Sequence, residues 1–165
     1  MIFLHSCRRR SRGLMPQVEE AIEIHAPVEF VFSLIADQPE RMAEWWPPIE
    51  LQERVTPAPT VKGSISRYVY NMMGVKIKGE HTVTEMRANQ HLRVETISGI
   101  DSEFDFSFGT GENGSTMLRV RVRYKLPGSV LGQLLNRVAI EERNVRDLVE
   151  GLQNLKRIAE QEVQA

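Results

Sequence analysis

Apolar and polar positions alternate from the first ordered-looking segment onward. In residues 17–25, QVEEAIEIH, the series Val18, Glu20, Ile22, Ile24 opposes Glu19, Ala21, Glu23, His25, the period of two that marks a half-buried strand. Ala26-Pro27-Val28-Glu29 then supplies a proline where a first helical turn tolerates it and an acid to suit the positive helix end. Val28, Val31, Phe32 and Ile35 fall at i, i+3, i+4 and i+7, which predicts a helix that Asp37-Gln38-Pro39 interrupts. A second short helix is expected over 39–45, ending in Trp45-Trp46-Pro47-Pro48, and a strand near 49–55 follows.

Residues 63–85 read as a hairpin whose two turn residues are Met73 and Gly74. That register sets Met72 against Val75, Tyr70 against Ile77, Tyr68 against Gly79 and Ser66 against His81 on one face. The other face pairs Asn71 with Lys76 and Arg67 with Glu80, so one face is apolar and aromatic and the other charged. HLRVETIS buries Leu92 and Val94. EFDFSF turns Phe104, Phe106 and Phe108 inward, and LRVRVRY brings Leu118, Val120, Val122 and Tyr124 to the same side. Across that last hairpin Asp105 should face Arg121 and Glu103 should face Arg123. Exposed pairs of this kind are worth about 0–1 kcal/mol each and specify register more than they stabilise.

Leu126-Pro127-Gly128 ends the strands, and 129 to about 162 is expected as one long helix with a stripe of Leu131, Leu134, Leu135, Val138, Val145, Leu148, Leu152, Leu155 and Ala159. The stripe breaks between Val138 and Val145, where both possible positions are glutamates, Glu141 and Glu142. An ionised carboxylate in a dry core is costly, so this stretch either lines a wet cavity, the reading preferred here, or passes beyond the strands. Seven antiparallel strands, two short helices after the first strand and one long C-terminal helix make an α+β chain. The reading divides it into a disordered tail over 1–15 and one domain over 16–165.

Composition narrows the function. Lys plus Arg is 21 and Asp plus Glu 22, a formal net charge of -1, so no global field attracts nucleic acid or an anionic membrane. Cys7 has no partner for an internal bridge and no neighbour at zinc-ligand spacing, which fits a reducing, cytoplasmic setting. No stretch approaches the roughly 18 apolar residues of a membrane span, so no integral membrane association is expected. The opening MIFLHSCRRRSRGLM puts its apolar run before its arginines, the reverse of an export signal, and Met15 is a candidate initiator.

The motifs that could carry chemistry are few. Gly109-Thr110-Gly111-Glu112-Asn113-Gly114 matches a dinucleotide fingerprint in letters, but a strand and not a helix follows it, so it reads as a hairpin loop. A two-residue turn at Asn113-Gly114 would set Phe108 against Arg119, on the wrong face, so a bulge or longer loop is needed. His5, His25, His81 and His91 show no metal-pair spacing; no metal, no cofactor and no catalytic triad is expected. His81 differs in pointing inward near Ser66 and Tyr68. It is either satisfied by a neighbouring hydroxyl or a ligand-binding or catalytic group. Trp45 and Trp46 either cap a pocket mouth or plug the core.

The element order, with AIEIHAPVEFVFSLIADQPERMAEWWP, VKIKGEHTVTEM and YKLPGSVLGQLLNR, resembles the polyketide cyclase/dehydrase and lipid transport superfamily, also called START-like or helix-grip, over residues 17–162. The resemblance implies a sheet that wraps the last helix and a cavity between them for a hydrophobic molecule. The resulting expectation is a binding or transport protein for a lipid, polyketide or quinone-like molecule, preferred over an enzyme, with catalysis left open by the sequence. Its ligand site is expected at Trp45, Trp46, Ser66, Tyr68, Tyr70, His81, Phe104, Phe106, Tyr124 and Glu141. One alternative is a cyclase or dehydratase using His81 or Glu141 as general base, with Tyr68 or Tyr70 stabilising an enolate. The other is an interaction factor like the coenzyme Q-binding branch. Oligomeric state is left open by the sequence.

Overall fold

The computed structural model describes residues 15–126, 128–133 and 137–165. The expected tail up to residue 14, with Cys7, lies outside the described residues, as do Leu134 and Leu135 of the expected helical stripe. The strands are β1 (Gln17–Ile24), β2 (Ile49–Arg54), β3 (Ile65–Met72), β4 (Val75–Arg87), β5 (His91–Ser98), β6 (Asp101–Thr110) and β7 (Thr116–Lys125). Helices α1 (Val28–Ala36) and α2 (Met42–Trp45), joined by a 3₁₀ turn at Pro39–Arg41, stand between β1 and β2. Helices α3 (Gly128–Gln133) and α4 (Arg137–Gln164) close the chain.

All seven strands form one antiparallel sheet in the order β1-β7-β6-β5-β4-β3-β2. The sheet curls over α4, the helix-grip arrangement. The β3–β4 hairpin has the expected register, Met72 to Val75 through Ser66 to His81. Met73 (φ 51°) and Gly74 (φ 93°) both take the left-handed conformation that a two-residue hairpin turn requires, and the Asn71 side chain accepts a hydrogen bond from the Gly74 N–H at 2.8 Å. The β6–β7 connection is the longer loop required by the facing pattern: Thr110 pairs with Thr116 and Phe108 faces Leu118, with a 3₁₀ turn at Glu112–Gly114 between them.

Asp105 faces Arg121 and Glu103 faces Arg123, as the alternation predicts. The ionic partners are shared more widely than that register implies. Arg93, opposite Asp105 on β5, takes Asp105 at 2.8 Å, and Glu19, opposite Arg121 on β1, takes Arg121 at 2.8 Å.

The inner face of the sheet carries Phe104, Phe106, Phe108, Leu118, Val120 and Val122, all buried. Phe32 of α1 packs edge-on to Phe108 with ring centroids 5.1 Å apart, and Leu148, Leu152, Leu155 and Ala159 of α4 seal the far side. The C-terminal turns of α4 are tied down at three points. Glu160 accepts from the His25 backbone N–H at 2.8 Å, Lys156 donates to the Glu23 carbonyl at 2.6 Å, and Glu162 pairs with Arg41 at 2.6 Å.

The expected helical stripe holds over its C-terminal half, where Leu148, Leu152, Leu155 and Ala159 are buried, and misleads before it: Val138 is 63% exposed, while Ile140 and Asp147, outside the stripe, are buried. Glu141 and Glu142 lie on the exposed side, so neither lines a wet cavity. No helix among the described residues is long and apolar enough to cross a membrane.

Candidate functional site

Period-two alternation delivers the site. Because Ser66 faces His81 and Tyr68 faces Gly79 across the β3–β4 ladder, one set of side chains from both strands points under the helices. The inner face of β6 adds Phe104 and Phe106, and Trp45 and Trp46 descend from the end of α2, where the backbone turns from helix to extended (Trp46 φ −94°, ψ 107°). Helix α4 can approach this corner because residue 151 is glycine. A Cβ there would meet the Trp45 carbonyl oxygen at 3.3 Å, and Asn154 Nδ2 donates to the same oxygen at 3.3 Å.

Two hollows result. The first, about 650 Å³ counting its open side, lies between the α1–α2 segment and strands β2 to β6 and is lined by Trp45, Gln52, Ser66 and Phe106 among others. The second, about 530 Å³ on the same measure, lies beneath α4 and is lined by Trp46, Tyr68, Tyr70, Tyr124 and Asn144. His81 and Phe104 line both, so their rings form the partition between the two. An aromatic chain runs through that partition. Tyr68 stacks on His81 (centroids 4.3 Å, planes 20° apart), His81 meets Phe104 edge-on at 5.5 Å, and Phe104 meets Trp46 edge-on at 5.4 Å. The adjacent indoles of Trp45 and Trp46 are 5.6 Å apart and serve one hollow each.

His81 is buried, and no described residue hydrogen-bonds its ring. Burial pushes its pKa down to about 4, so the imidazole is neutral at physiological pH. The neighbouring-hydroxyl explanation of its inward placement therefore does not hold. Tyr68 commits its hydroxyl to the β5–β6 turn instead, accepting from the Ile100 N–H at 3.0 Å and donating to the Ser98 carbonyl at 3.2 Å. Tyr68 thus offers the cavity a ring and not a free hydroxyl. Tyr70 keeps more freedom, donating to Asn144 Oδ1 of α4 at 3.4 Å, and burial and the nearby Asp147 carboxylate together hold its ionisation well above the usual phenol range. Asp147 is itself buried on α4, with burial raising its pKa although Arg143 Nε donates to it at 2.8 Å.

Of the residues expected at the site, Trp45, Ser66 and Phe106 border the first hollow, Trp46, Tyr68, Tyr70 and Tyr124 the second, and His81 and Phe104 both. Glu141 lines neither and is exposed, which removes it from the site. Gln52, which lines the first hollow, and Asn144, which lines the second, were missed. Gln52 points inward because a bulge in β2 between Ile49 and Leu51 shifts the alternation by one, leaving Leu51 43% exposed and Gln52 buried. Asn144 falls in the gap that the stripe left between Val138 and Val145, but as a polar residue it gave no hydrophobic signal. Among the described residues no group of three or more His, Cys, Asp or Glu side chains is placed to hold a metal ion.

The family model for polyketide cyclase / dehydrase and lipid transport matches residues 15–160, and the chain belongs to that family. Its structure is similar to that of a protein from Thermus thermophilus, with 23% identity, TM-score 0.71, and 86% of this chain and 95% of that one covered. It is similar also to the Zhui aromatase/cyclase from Streptomyces sp. R1128 (19% identity, TM-score 0.71, 92% and 97% covered). A START superfamily protein from Mycobacterium smegmatis aligns at 19% identity with TM-score 0.67, covering 88% and 97%. These likenesses establish the fold. No curated protein matches the chain.

Proposed function

We propose that this member of the polyketide cyclase / dehydrase and lipid transport family binds or transports one hydrophobic small molecule, of lipid, polyketide or quinone-like kind, between its sheet and α4. The supporting observation is the pair of aromatic-walled hollows that meet at Phe104 and at the buried His81 imidazole, beside which no described carboxylate or cationic side chain shifts its titration. A proton-transfer site works best with a group whose pKa lies near the operating pH. His81, held near 4, is a weak base at neutrality, and Glu141 is outside the cavity. Native mass spectrometry of the full chain against a denatured control tests the reading, with an extra mass expected on the folded protein alone. Delipidated protein that takes up no apolar probe would sink it.

A second reading, a cyclase or dehydratase acting on an acidic C–H, draws on one observation: His81 borders both hollows, and no described residue hydrogen-bonds its ring. On that reading, hydrogen–deuterium exchange at the central carbon of a bound β-diketone is accelerated, and His81→Gln lowers it by at least about 100-fold. Exchange that ignores the substitution removes the enzyme from consideration.

A further inference from the structure

Two residues that line the first hollow carry buried polar groups with no partner among the described residues. Trp45 is 2% exposed and its indole Nε1–H has no hydrogen-bond acceptor; Gln52 is 7% exposed and its side-chain Oε1 has no donor. Both line this hollow. Leaving a buried donor or acceptor unmade costs about 1–3 kcal/mol, so two such groups of opposite kind, on residues that line one cavity, are groups a ligand there could satisfy.

The charges around the hollow decide what kind of ligand that is. Its one lining cation, Arg54, is already engaged three ways: it donates to the Asp37 carbonyl oxygen and to Thr60 Oγ1 at 3.0 Å, and it pairs with Glu40 at 3.3 Å. A carboxylate entering here would find the Trp45 donor, but it would repel the Gln52 carbonyl oxygen and find Arg54 already neutralised. An ammonium group would find no Asp or Glu among the described lining residues. A hydroxyl meets both demands, since its oxygen accepts and its proton donates.

We propose that the first hollow is a head-group subsite for a neutral hydroxyl-bearing hydrophobic molecule, an alcohol or phenol, that accepts from Trp45 Nε1–H and donates to Gln52 Oε1. Its apolar body lies against Phe104, Phe106 and the His81 partition. This rests on the binding reading given above and adds the chemical class of the ligand's polar end.

Equilibrium dialysis of the full chain against naphthalene, 2-naphthol and 2-naphthoate tests it. The expected result is that 2-naphthol binds at least about tenfold more tightly than naphthalene, with 2-naphthoate weaker than 2-naphthol. In Gln52→Met, close in shape but unable to accept the proton, and separately in Trp45→Phe, the preference should shrink to less than about threefold. Two variants guard against one that fails to fold, which circular dichroism would show. Equal binding of naphthalene and 2-naphthol, tightest binding of 2-naphthoate, or a full hydroxyl preference in both folded variants overturns the subsite while leaving a hydrophobic cavity. If none of the three probes binds, the binding reading fails along with it.

Discussion

His81 shows how one residue's burial becomes a measurable property of the whole chain. In the unfolded state its pKa is near 6.5; in the folded state burial lowers it to about 4. Above the unfolded value both states hold a neutral ring and His81 contributes no pH dependence. As pH falls from about 6.5 towards 4 the unfolded chain binds a proton that the folded chain refuses, so stability is lost across that window, to a limit of about 3 kcal/mol. Urea unfolding at a series of pH values should therefore show a steeper acid-side loss for the wild type than for His81→Phe, and comparing the two cancels every other titrating group. Identical profiles would mean that the ring is not desolvated in the folded chain. Gly79 limits the same corner from below. A Cβ there would sit 2.5 Å from the Tyr68 hydroxyl and inside contact distance of the Ser98 carbonyl oxygen, so the ring stacked on His81 depends on this glycine. Gly79→Ala is expected to cost about 1–3 kcal/mol in denaturant unfolding; an unchanged midpoint would show that the Tyr68 hydroxyl can give way freely.

At the scale of elements, what was legible in the sequence followed from regular alternation, and what was hidden followed from its interruption. The β3–β4 and β6–β7 ladders obey the period of two over their whole length, so Ser66, Tyr68, Tyr70, His81, Phe104, Phe106 and Tyr124 could be placed on the inner face from the letters alone. The bulge in β2 breaks that rule, and nothing in IELQER marks it, so the inward place of Gln52 was not legible in the letters. Helix α4 misled for a different reason. Hydrophobic stripes are found by apolar letters, and this helix turns Asn144, Asp147 and Gly151 inward while exposing Val138. Asp147 gives a test of that inward face. Its carboxyl is raised by burial, so the ionised form is disfavoured in the folded state and stability falls as pH climbs from the unfolded value of about 3.8 through the folded one. Its partner Arg143 is 52% exposed at the side chain and would not be stranded in a dry site by the loss of the carboxylate. Asp147→Asn should accordingly be as stable as the wild type at pH 7, or more so, in urea unfolding. A loss above about 1 kcal/mol would show that the Arg143–Asp147 pair holds α4 in place more firmly than its exposure implies.

For the whole molecule, the curled sheet and the helices packed on it leave two hollows, and the proposed function places a guest in that space. Side chains lining an unfilled hollow lack contact partners on one side and forfeit part of their dispersion energy. The domain offsets this with the densely buried layer of Leu118, Val120, Leu148 and Leu155 and with the three ties at the C-terminal end of α4. A guest that fits restores the missing contacts in the folded state only, because the hollows need β3, β4, β6 and the α2 corner assembled together and vanish when the chain unfolds. Mass action then sets the size of the effect. At a free concentration one hundred times its Kd, 2-naphthol should add about 2.7 kcal/mol to folding, which for a domain of this size raises Tm by about 5–10 °C. The shift should grow with the logarithm of probe concentration and should be smaller for Gln52→Met at equal concentration. A Tm that stays fixed while dialysis shows binding would mean that the probe binds folded and unfolded chain equally well, and the hollows would then be packing defects with no guest.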